Sequence, residues 1–313
     1  MTPPLISPIR WPLEAIWEAV VPGLPGFTAE VLPRIDSSNS ELMRRFKGGS
    51  SAEPRPEPTL LVAEEQTAGR GRLGRSWLSQ RGDSLTFSLG LPLKPADWSG
   101  LSLAVGVSVA DSLEPDTTDP HTGLRADLHI DLKWPNDLWL AGSNGEKVKE
   151  DEKNFSKLAG ILVETASWEG LRYVVVGVGI NIRAPELPEP TELPALTTPN
   201  HTSALSEHTH MPTPMQPLPP GHLQALLPEL DATQTLLRIA APLVQAVQAF
   251  EQFGFAPFQA RFARRDVLSG RPVALSDGTV GTACGVGENG ALLVHTLAGM
   301  REVTSSEVSV RPC

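Results

Sequence analysis

The stretch Ala63-Glu64-Glu65-Gln66-Thr67-Ala68-Gly69-Arg70-Gly71-Arg72-Leu73-Gly74-Arg75-Ser76-Trp77 follows the apolar run 60–63, which is typical of a buried strand. Within it, glycine and arginine alternate from Gly69 to Arg72. Glycine lets a backbone turn sharply and approach a ligand closely. The arginine guanidinium is a permanently charged fork that matches phosphate or carboxylate oxygens. The stretch therefore predicts a mobile loop that closes over an anion.

The same stretch has two competing interpretations. Segments rich in arginine and glycine are often only solvated loops. Gly69, Gly71 and Gly74 also spell the G-x-G-x-x-G pattern of a dinucleotide site, which must open a helix directly after a strand. Residues 76–83 are turn-rich instead, and arginines occupy two of the three variable positions, so the pattern does not favour a dinucleotide fold.

Length and composition limit the class of protein. The 313 residues are enough for two domains. A formal net charge of -10 argues against a general nucleic-acid binder, which needs clustered positive charge. The two cysteines, Cys284 and Cys313, indicate neither a disulfide framework nor a metal site. Residues 1–33 lack the apolar core of a signal peptide and no run of 18 apolar residues occurs, so we expect a soluble, cytoplasmic protein without a membrane or nucleic-acid partner.

Hydrophobic periodicity and capping signals predict the elements of the first 182 residues. Ser38 with Glu41 fits a capping box for a helix that Gly48 ends. The other expected elements are helices over 11–20 and 101–113 and strands over 60–63, 84–91, 127–134, 138–140, 157–164 and 171–182, the last two forming a hairpin. Residues 114–126 are expected to be a polar connection, and residues 142–156 a charged mobile loop.

The second half of the chain changes character twice. Ten prolines fall between residues 185 and 220, and this segment is expected to be an insertion without regular structure. Helical periodicity follows over 223–253, with interruptions expected near Pro228 and Pro242, and again over 257–265. From about residue 269, closely spaced turn signals such as Asn289-Gly290 predict a small all-β barrel.

Three further motifs follow the glycine–arginine stretch: Lys133-Trp134-Pro135-Asn136-Asp137, Lys157-Leu158-Ala159-Gly160-Ile161-Leu162-Val163-Glu164 and Gly177-Val178-Gly179-Ile180-Asn181. In their order and spacing, the four motifs resemble the biotin protein ligases, which activate biotin with ATP and attach it to a carrier lysine. The resemblance spans roughly residues 33–310. The first two motifs are highly specific, and the other two gain their weight from the order.

The resemblance implies a fold and a domain organisation. We expect an α+β catalytic domain over 1–268, with a mixed sheet and helices, related to the class II aminoacyl-tRNA synthetases. A small SH3-like β-barrel is expected over 269–313, and the proline-rich segment 185–220 would be an insertion in the catalytic domain. Because residues 1–33 leave no room for a winged helix-turn-helix, the resemblance implies the ligase-only class without a DNA-binding domain.

The chemistry of this family requires two anions to meet, because the biotin carboxylate attacks the α-phosphate of ATP. Catalysis is therefore largely charge neutralisation and positioning. The resemblance implies that the catalytic residues are Arg70, Arg72, Lys133, Asp137 and Lys157. Asp137 is the candidate ligand for Mg²⁺, or the group that orients the incoming lysine.

Neutral hydrogen-bonding groups and glycines are expected at the biotin end of such a site. The amide of Gln66 suits the ureido ring, and glycines in a strand leave a flat floor. The implied biotin-binding residues are Ser37, Ser38, Asn39, Gln66, Gly69, Arg70, Lys157, Gly160, Gly177 and Gly179, and the implied ATP-binding residues are Arg72, Arg75, Trp77, Lys133, Asn136 and Asn181. Ser38 stands where the family commonly has threonine, so a methyl contact is lost there.

The implied acceptor is the biotin carboxyl carrier domain of acetyl-CoA carboxylase. A lipoate or octanoate ligase would share the fold and the activation chemistry, but the Gly-Arg-Gly-Arg loop and the motif 133–137 argue against it. A non-catalytic adaptor that senses biotin would be expected to have lost charged site residues. The arginines of the loop, Asp137 and Lys157 are all intact.

Overall fold

A computed structural model describes residues 8–48, 56–114, 128–142, 155–184, 220–304 and 310–312. The expected polar connection over 114–126, the charged loop over 142–156 and the proline-rich insertion over 185–220 lie almost entirely outside these ranges. Within them, no helix is both long and apolar enough to cross a membrane.

Residues 28–181 contribute the strands of one seven-stranded mixed sheet. The strands are β1 (Thr28–Leu32), β2 (Thr59–Ala63), β3 (Ser84–Pro92), β4 (Leu128–Lys133), β5 (Asp137–Gly142), β6 (Phe155–Trp168) and β7 (Leu171–Asn181). Their order across the sheet is β1-β2-β3-β7-β6-β5-β4, with β1 and β2 parallel and the other pairs antiparallel. The α+β class and the mixed sheet predicted from the sequence are confirmed.

Helices cover the two faces of this sheet unequally. They are α1 (Leu13–Val20), α2 (Ser38–Lys47), α3 (Leu101–Leu113), α4 (Leu223–Leu226), α5 (Ala232–Phe253) and α6 (Ala256–Arg265). On one face α3 packs against α5, with α1 and α6 beside them. On the other face α2 packs through Leu42 and Phe46 on Leu61, Tyr173 and Val175. Since α2 covers only part of its face, the rest of that face is free to line a cavity.

The start of α2 differs from the expected capping box. Ser37 is the N-cap, and its hydroxyl accepts from the Ser40 amide at 3.4 Å, whereas Ser38 is already helical. The prediction of Ser38 as the cap was wrong by one residue, because two consecutive serines offer the same capping hydroxyl. Only the packing of the helix on the sheet, which turns Ser38 towards Ser88, distinguishes them. Gly48 ends the helix with a φ of 63°, as predicted.

The helical region 223–253 is broken once rather than twice. The interruption near Pro228 is present, because α4 ends at Leu226 and α5 begins at Ala232. The interruption near Pro242 is absent, and α5 continues through it. A proline inside a helix costs about 3 kcal/mol, but residues along the whole of α5, from Leu236 to Phe250, are buried, and this packing holds the helix together.

The chain after α6 forms a second, antiparallel sheet, which confirms the predicted all-β tail. Its strands are β8 (Pro272–Leu275), β9 (Val280–Val286), β10 (Leu292–Thr296), β11 (Gly299–Val303) and β12 (Val310–Pro312), in the order β11-β10-β9-β8-β12. The tail contacts the first part of the chain directly, since the Trp134 indole N–H donates to the Gly290 carbonyl at 3.0 Å. Beside this bond, a Cβ on Gly290 would lie 2.7 Å from the Gly100 Cα.

Candidate active site

Two rows of residues cross the face of the sheet that carries α2, one residue per strand. The first row is Leu61, Ser88, Gly177 and Leu162, and the second is Ala63, Thr86, Gly179, Gly160, Asp137 and Lys133. Side chains on a strand alternate between faces, so the members of both rows point to the same side. The strand register therefore brings three of the four sequence motifs onto one surface.

These rows border a cavity of about 500 Å³ that the glycine–arginine loop closes on another side. The predicted site residues that line it are Ser37, Ser38, Asn39, Gln66, Arg70, Arg72, Arg75, Trp77, Lys133, Asn136, Asp137, Lys157, Gly160, Gly177 and Gly179. Gly69 and Asn181 do not line it. The Asn181 amide donates to the carbonyls of Lys157 at 3.2 Å and Gly221 at 3.0 Å, and so joins the segment before α4 to the sheet.

One end of the cavity is a buried network of neutral hydrogen-bonding groups. The side-chain oxygen of Gln66 accepts from the Ser38 N–H at 2.7 Å and lies 3.1 Å from the Ser38 hydroxyl. The Ser88 hydroxyl lies 2.7 Å from Ser38 Oγ and 2.6 Å from Asn39 Oδ1. Two hydroxyl protons serve three oxygen–oxygen contacts, and we assign them to the two shortest. Gln66 then keeps a lone pair with which to accept from a ligand N–H.

Ser88 does not line the cavity, but its hydroxyl contacts Ser38 and Asn39, which do, and the sequence reasoning missed it. It is fully buried in β3, between the core residues Phe87 and Leu89. A serine inside an otherwise apolar buried strand is the signal that could have found it, because a buried hydroxyl needs a hydrogen-bond partner.

Glycines on β7 make room for two side chains that stand on the floor of the cavity. A Cβ on Gly177 would overlap the Asn39 carboxamide oxygen, and a Cβ on Gly179 would overlap the Trp77 ring. Asn39 is fixed there because its amide donates to the Leu162 carbonyl at 3.2 Å and to the Glu164 carboxylate at 3.0 Å. The two glycines are therefore required by close packing, whatever ligand the cavity takes.

The glycine–arginine loop folds back on itself as a small hairpin. The Trp77 N–H donates to the Gly69 carbonyl at 2.8 Å, and the Gly71 N–H donates to the Arg75 carbonyl at 2.7 Å. At its tip Leu73 has a φ of 55° and is exposed. The mobility expected of this loop stays a prediction.

The two central arginines of the loop have different environments. Arg70 is half exposed and pairs with Glu164 at 3.0 Å. Arg72 is more buried, and its guanidinium donates to the Asn136 amide oxygen at 3.5 Å. Burial lowers the pKa of Arg72, and the Asp137 carboxylate opposes that shift. Arg72 thus carries its charge into a partly desolvated region, where its attraction for an anion is stronger than in water.

A β-bulge decides that Lys157 faces the cavity. Lys157 Nζ lies 2.8 Å from Asp137 Oδ1. In a regular ladder Lys157 would pair with Leu140 and face the main core, but a register shift between Leu138 and Trp139 sets it opposite Trp139. This single extra residue turns the lysine to the cavity face.

The cavity therefore has a neutral end with unused hydrogen-bonding capacity and a cationic end formed by Arg72, Arg75, Lys133 and Lys157. Such a site suits a ligand with a polar ring at one end and an anionic group at the other. The cationic end can bring a second anion close to the first, because the arginines and lysines offset their repulsion.

Comparisons with known proteins agree with this geometry. The biotin/lipoate A/B protein ligase family matches residues 31–181, and the biotin protein ligase C terminal domain matches residues 268–311. The chain is 31% identical to the bifunctional ligase/repressor of Escherichia coli (strain K12), over 92% of this chain and 75% of the relative. It is 30% identical to the biotin–[acetyl-CoA-carboxylase] ligase of Paracoccus denitrificans, over 89% of this chain and 98% of the relative.

A solved structure extends the similarity to the fold. The biotin protein ligase from Aquifex aeolicus in complex with biotin and ATP matches with a TM-score of 0.62 and 27% identity, covering 91% of this chain and 99% of that chain.

Proposed function

The chain belongs to the biotin protein ligase family, and we propose that it activates biotin with ATP and transfers the biotinyl group to a lysine of a carrier protein. The observation that carries this proposal is the polarity of the cavity. The Gln66 end suits the N–H groups of a ureido ring, and the Arg72, Lys133 and Lys157 end suits a carboxylate beside a triphosphate.

The proposed reaction has two steps. In the first, a biotin carboxylate oxygen bonds to the α-phosphorus of ATP, the bond from that phosphorus to the bridging oxygen breaks, and pyrophosphate leaves. In the second, the acceptor lysine amine bonds to the acyl carbon, the bond to the AMP oxygen breaks, and the amine loses a proton. Both steps concentrate negative charge, so positive side chains in a partly desolvated site are the main source of rate.

The side chains of the cationic end divide this work in our proposal. Arg72 and Lys133 neutralise the phosphates, and Lys157 holds the biotin carboxylate against them. Asp137 keeps Lys157 in place through the 2.8 Å ion pair. In the second step the Asp137 carboxylate also orients the lysine amine and accepts its proton.

The alternative role for Asp137 is as a ligand of a magnesium ion, which takes one or two carboxylates together with substrate phosphates. The described residues contain no cluster of three or more metal-binding side chains, so this carboxylate would share the ion with the nucleotide. When bound there, the ion would supply further neutralisation of phosphate charge.

The acceptor we propose is the biotin carboxyl carrier domain of acetyl-CoA carboxylase. The relative from Paracoccus denitrificans is named as a ligase of that enzyme, and it is matched over 98% of its length.

ATP–pyrophosphate exchange with biotin, lipoate or octanoate as the acid tests the proposal. We expect exchange with biotin alone. Exchange with lipoate or octanoate instead would identify the chain as a ligase of the sister class. No exchange with any acid would refute activation and leave a biotin-sensing role, which binding of biotin without ATP turnover would then support.

A further inference from the structure

Trp139 lies between the two lysines of the cationic end, although it belongs to none of the four motifs. It follows Asp137 by two residues in β5 and so points to the same face, and the bulge sets Lys157 opposite it. Lys133 is its diagonal neighbour on β4, because Lys133 pairs with Asp137 and Asp131 pairs with Trp139.

A row of two aromatic rings with a cation at each end leads from the cavity to the barrel. The Lys133 ammonium lies 4.2 Å from the centroid of the Trp139 ring, inside the range of about 6 Å over which a ring face attracts a cation. The Trp139 and Phe155 centroids are 5.9 Å apart, with an interplanar angle of 47°. The guanidinium carbon of Arg271, at the start of the tail, lies 4.7 Å from the Phe155 centroid.

The acidic residue nearest to Lys133 in register already binds another lysine. Asp137 pairs with Lys133 across the two strands, but its carboxylate lies 2.8 Å from Lys157 Nζ. A ring face attracts a cation through its quadrupole and does not itself carry a charge that would neutralise it. The aromatic contact is thus suited to holding a flexible lysine that has to meet a phosphate.

We propose that Trp139 is a positioning residue for the nucleotide. Its ring holds the Lys133 ammonium at the point in the cavity where the ATP phosphates bind, and Phe155 and Arg271 hold the ring. The inference rests on the proposed function, because it assigns Lys133 to the phosphates of ATP.

Steady-state exchange with the full chain measures the effect. Trp139→Leu keeps an apolar side chain but removes the ring face, and we expect kcat/KM for ATP to fall roughly five- to thirtyfold. The KM for biotin should change by less than about twofold, because the biotin end is untouched. Trp139→Tyr keeps a ring face and should restore kcat/KM for ATP to within about threefold of the wild type.

Trp98 provides a matched control. It also carries a cation over its ring, with the Arg172 guanidinium carbon 4.9 Å from the centroid, but Arg172 does not line the cavity, whereas Lys133 does. Trp98→Leu should leave both KM values unchanged. If kcat/KM for ATP falls as much in Trp98→Leu as in Trp139→Leu, loss of any tryptophan beneath a cation has this effect, and the inference is overturned.

A double-mutant cycle separates positioning from general support of the fold. The readout is the dissociation constant for ATP, which an inactive variant still reports. In a Lys133→Met background, Trp139→Leu should weaken ATP binding no further, because the ring acts through the ammonium. Equal weakening in both backgrounds would overturn the inference.

Two further outcomes keep the test decisive. If Trp139→Leu does not fold, Arg271→Ala at the exposed end of the row replaces it in the cycle. A two- to threefold weakening of ATP binding, roughly, that disappears in the Lys133→Met background supports the inference. A weakening that persists in that background, or no weakening at all, refutes it.

The wild type separates this inference from the proposed function. If the wild type shows no exchange with biotin, the proposed function fails. If the wild type is active and Trp139→Leu has the same kinetics, only the role of Trp139 is refuted.

Discussion

Asp266, at the end of α6, is a carboxylate whose ionisation should destabilise the folded protein. Its Oδ1 accepts from the Leu268 N–H at 2.9 Å. Its Oδ2 is buried and has no hydrogen-bond partner among the described residues. Burial raises the pKa of Asp266 from 3.8 to about 6, and the nearby Asp131 carboxylate adds to this shift.

The sign and size of the effect follow from that shift. The folded protein holds the proton more tightly than the unfolded chain, so the free energy of unfolding falls as the pH rises from about 4 through about 6. A shift of about two pKa units corresponds to a loss of up to about 3 kcal/mol that is complete above pH 7 or so. Asp266→Asn keeps an oxygen for Leu268 and cannot ionise, so it should escape this loss.

Urea denaturation of the wild type and Asp266→Asn between about pH 4 and pH 8 checks the prediction. We expect the variant to be about 2–3 kcal/mol more stable at pH 8 and nearly equal at pH 4. His129, whose pKa is raised by its contact with Asp131, titrates in both proteins and largely cancels in the difference. The exposed Asp277 is a control of opposite sign. The Thr279 N–H lowers the pKa of Asp277, so ionisation of this carboxylate should raise the free energy of unfolding rather than lower it. A difference that does not vary with pH would refute the reasoning.

Three further predictions concern the cavity, each read by exchange kinetics under the proposed function. Arg72→Ala should reduce kcat/KM for ATP by roughly ten- to a hundredfold, because a partly buried cation is lost, and near-normal activity would remove Arg72 from the mechanism. Gly177→Ala should raise the KM for biotin about tenfold or more by displacing Asn39, while Gly23→Ala, where a Cβ meets nothing closer than 3.8 Å, should not. Ser88→Ala should raise the KM for biotin roughly five- to twentyfold with the KM for ATP unchanged, and equal changes in both would point to general unfolding instead.

Apolar periodicity predicted most of the strands, and the resemblance of the four motifs to a known family supplied most of the predicted residues that line the cavity. It did not predict β1, whose five residues carry Glu30 in the middle and show no clear alternation. It also did not predict the contacts that Ser88 and Trp139 make beside the cavity. Both depend on which residues lie opposite each other across strands, and register is set by tertiary contacts rather than by local pattern.

The bulge beside Lys157 illustrates this limit. The motif that contains Lys157 identifies the lysine as a site candidate, but regular alternation would turn it away from Asp137. One unpaired residue reverses that orientation. Asn181 shows the converse, because the motif places it among the candidates whereas its amide binds two backbone carbonyls outside the cavity lining.

The meeting of Gly100 and Gly290 bears on how members of this family could be recombined. Residues 31–181 and 268–311 match two separate family descriptions, which invites their exchange as independent modules. At this contact, however, one backbone lies against the other without room for a Cβ, and Trp134 donates to the same Gly290 carbonyl. A barrel from another ligase would bring its own turn to this point, and a side chain on it would collide with the backbone at the start of α3. A chimera therefore needs to preserve the whole contact surface. The start of α3, the turn over 133–137 and the barrel hairpin that carries Gly290 have to come from the same ligase.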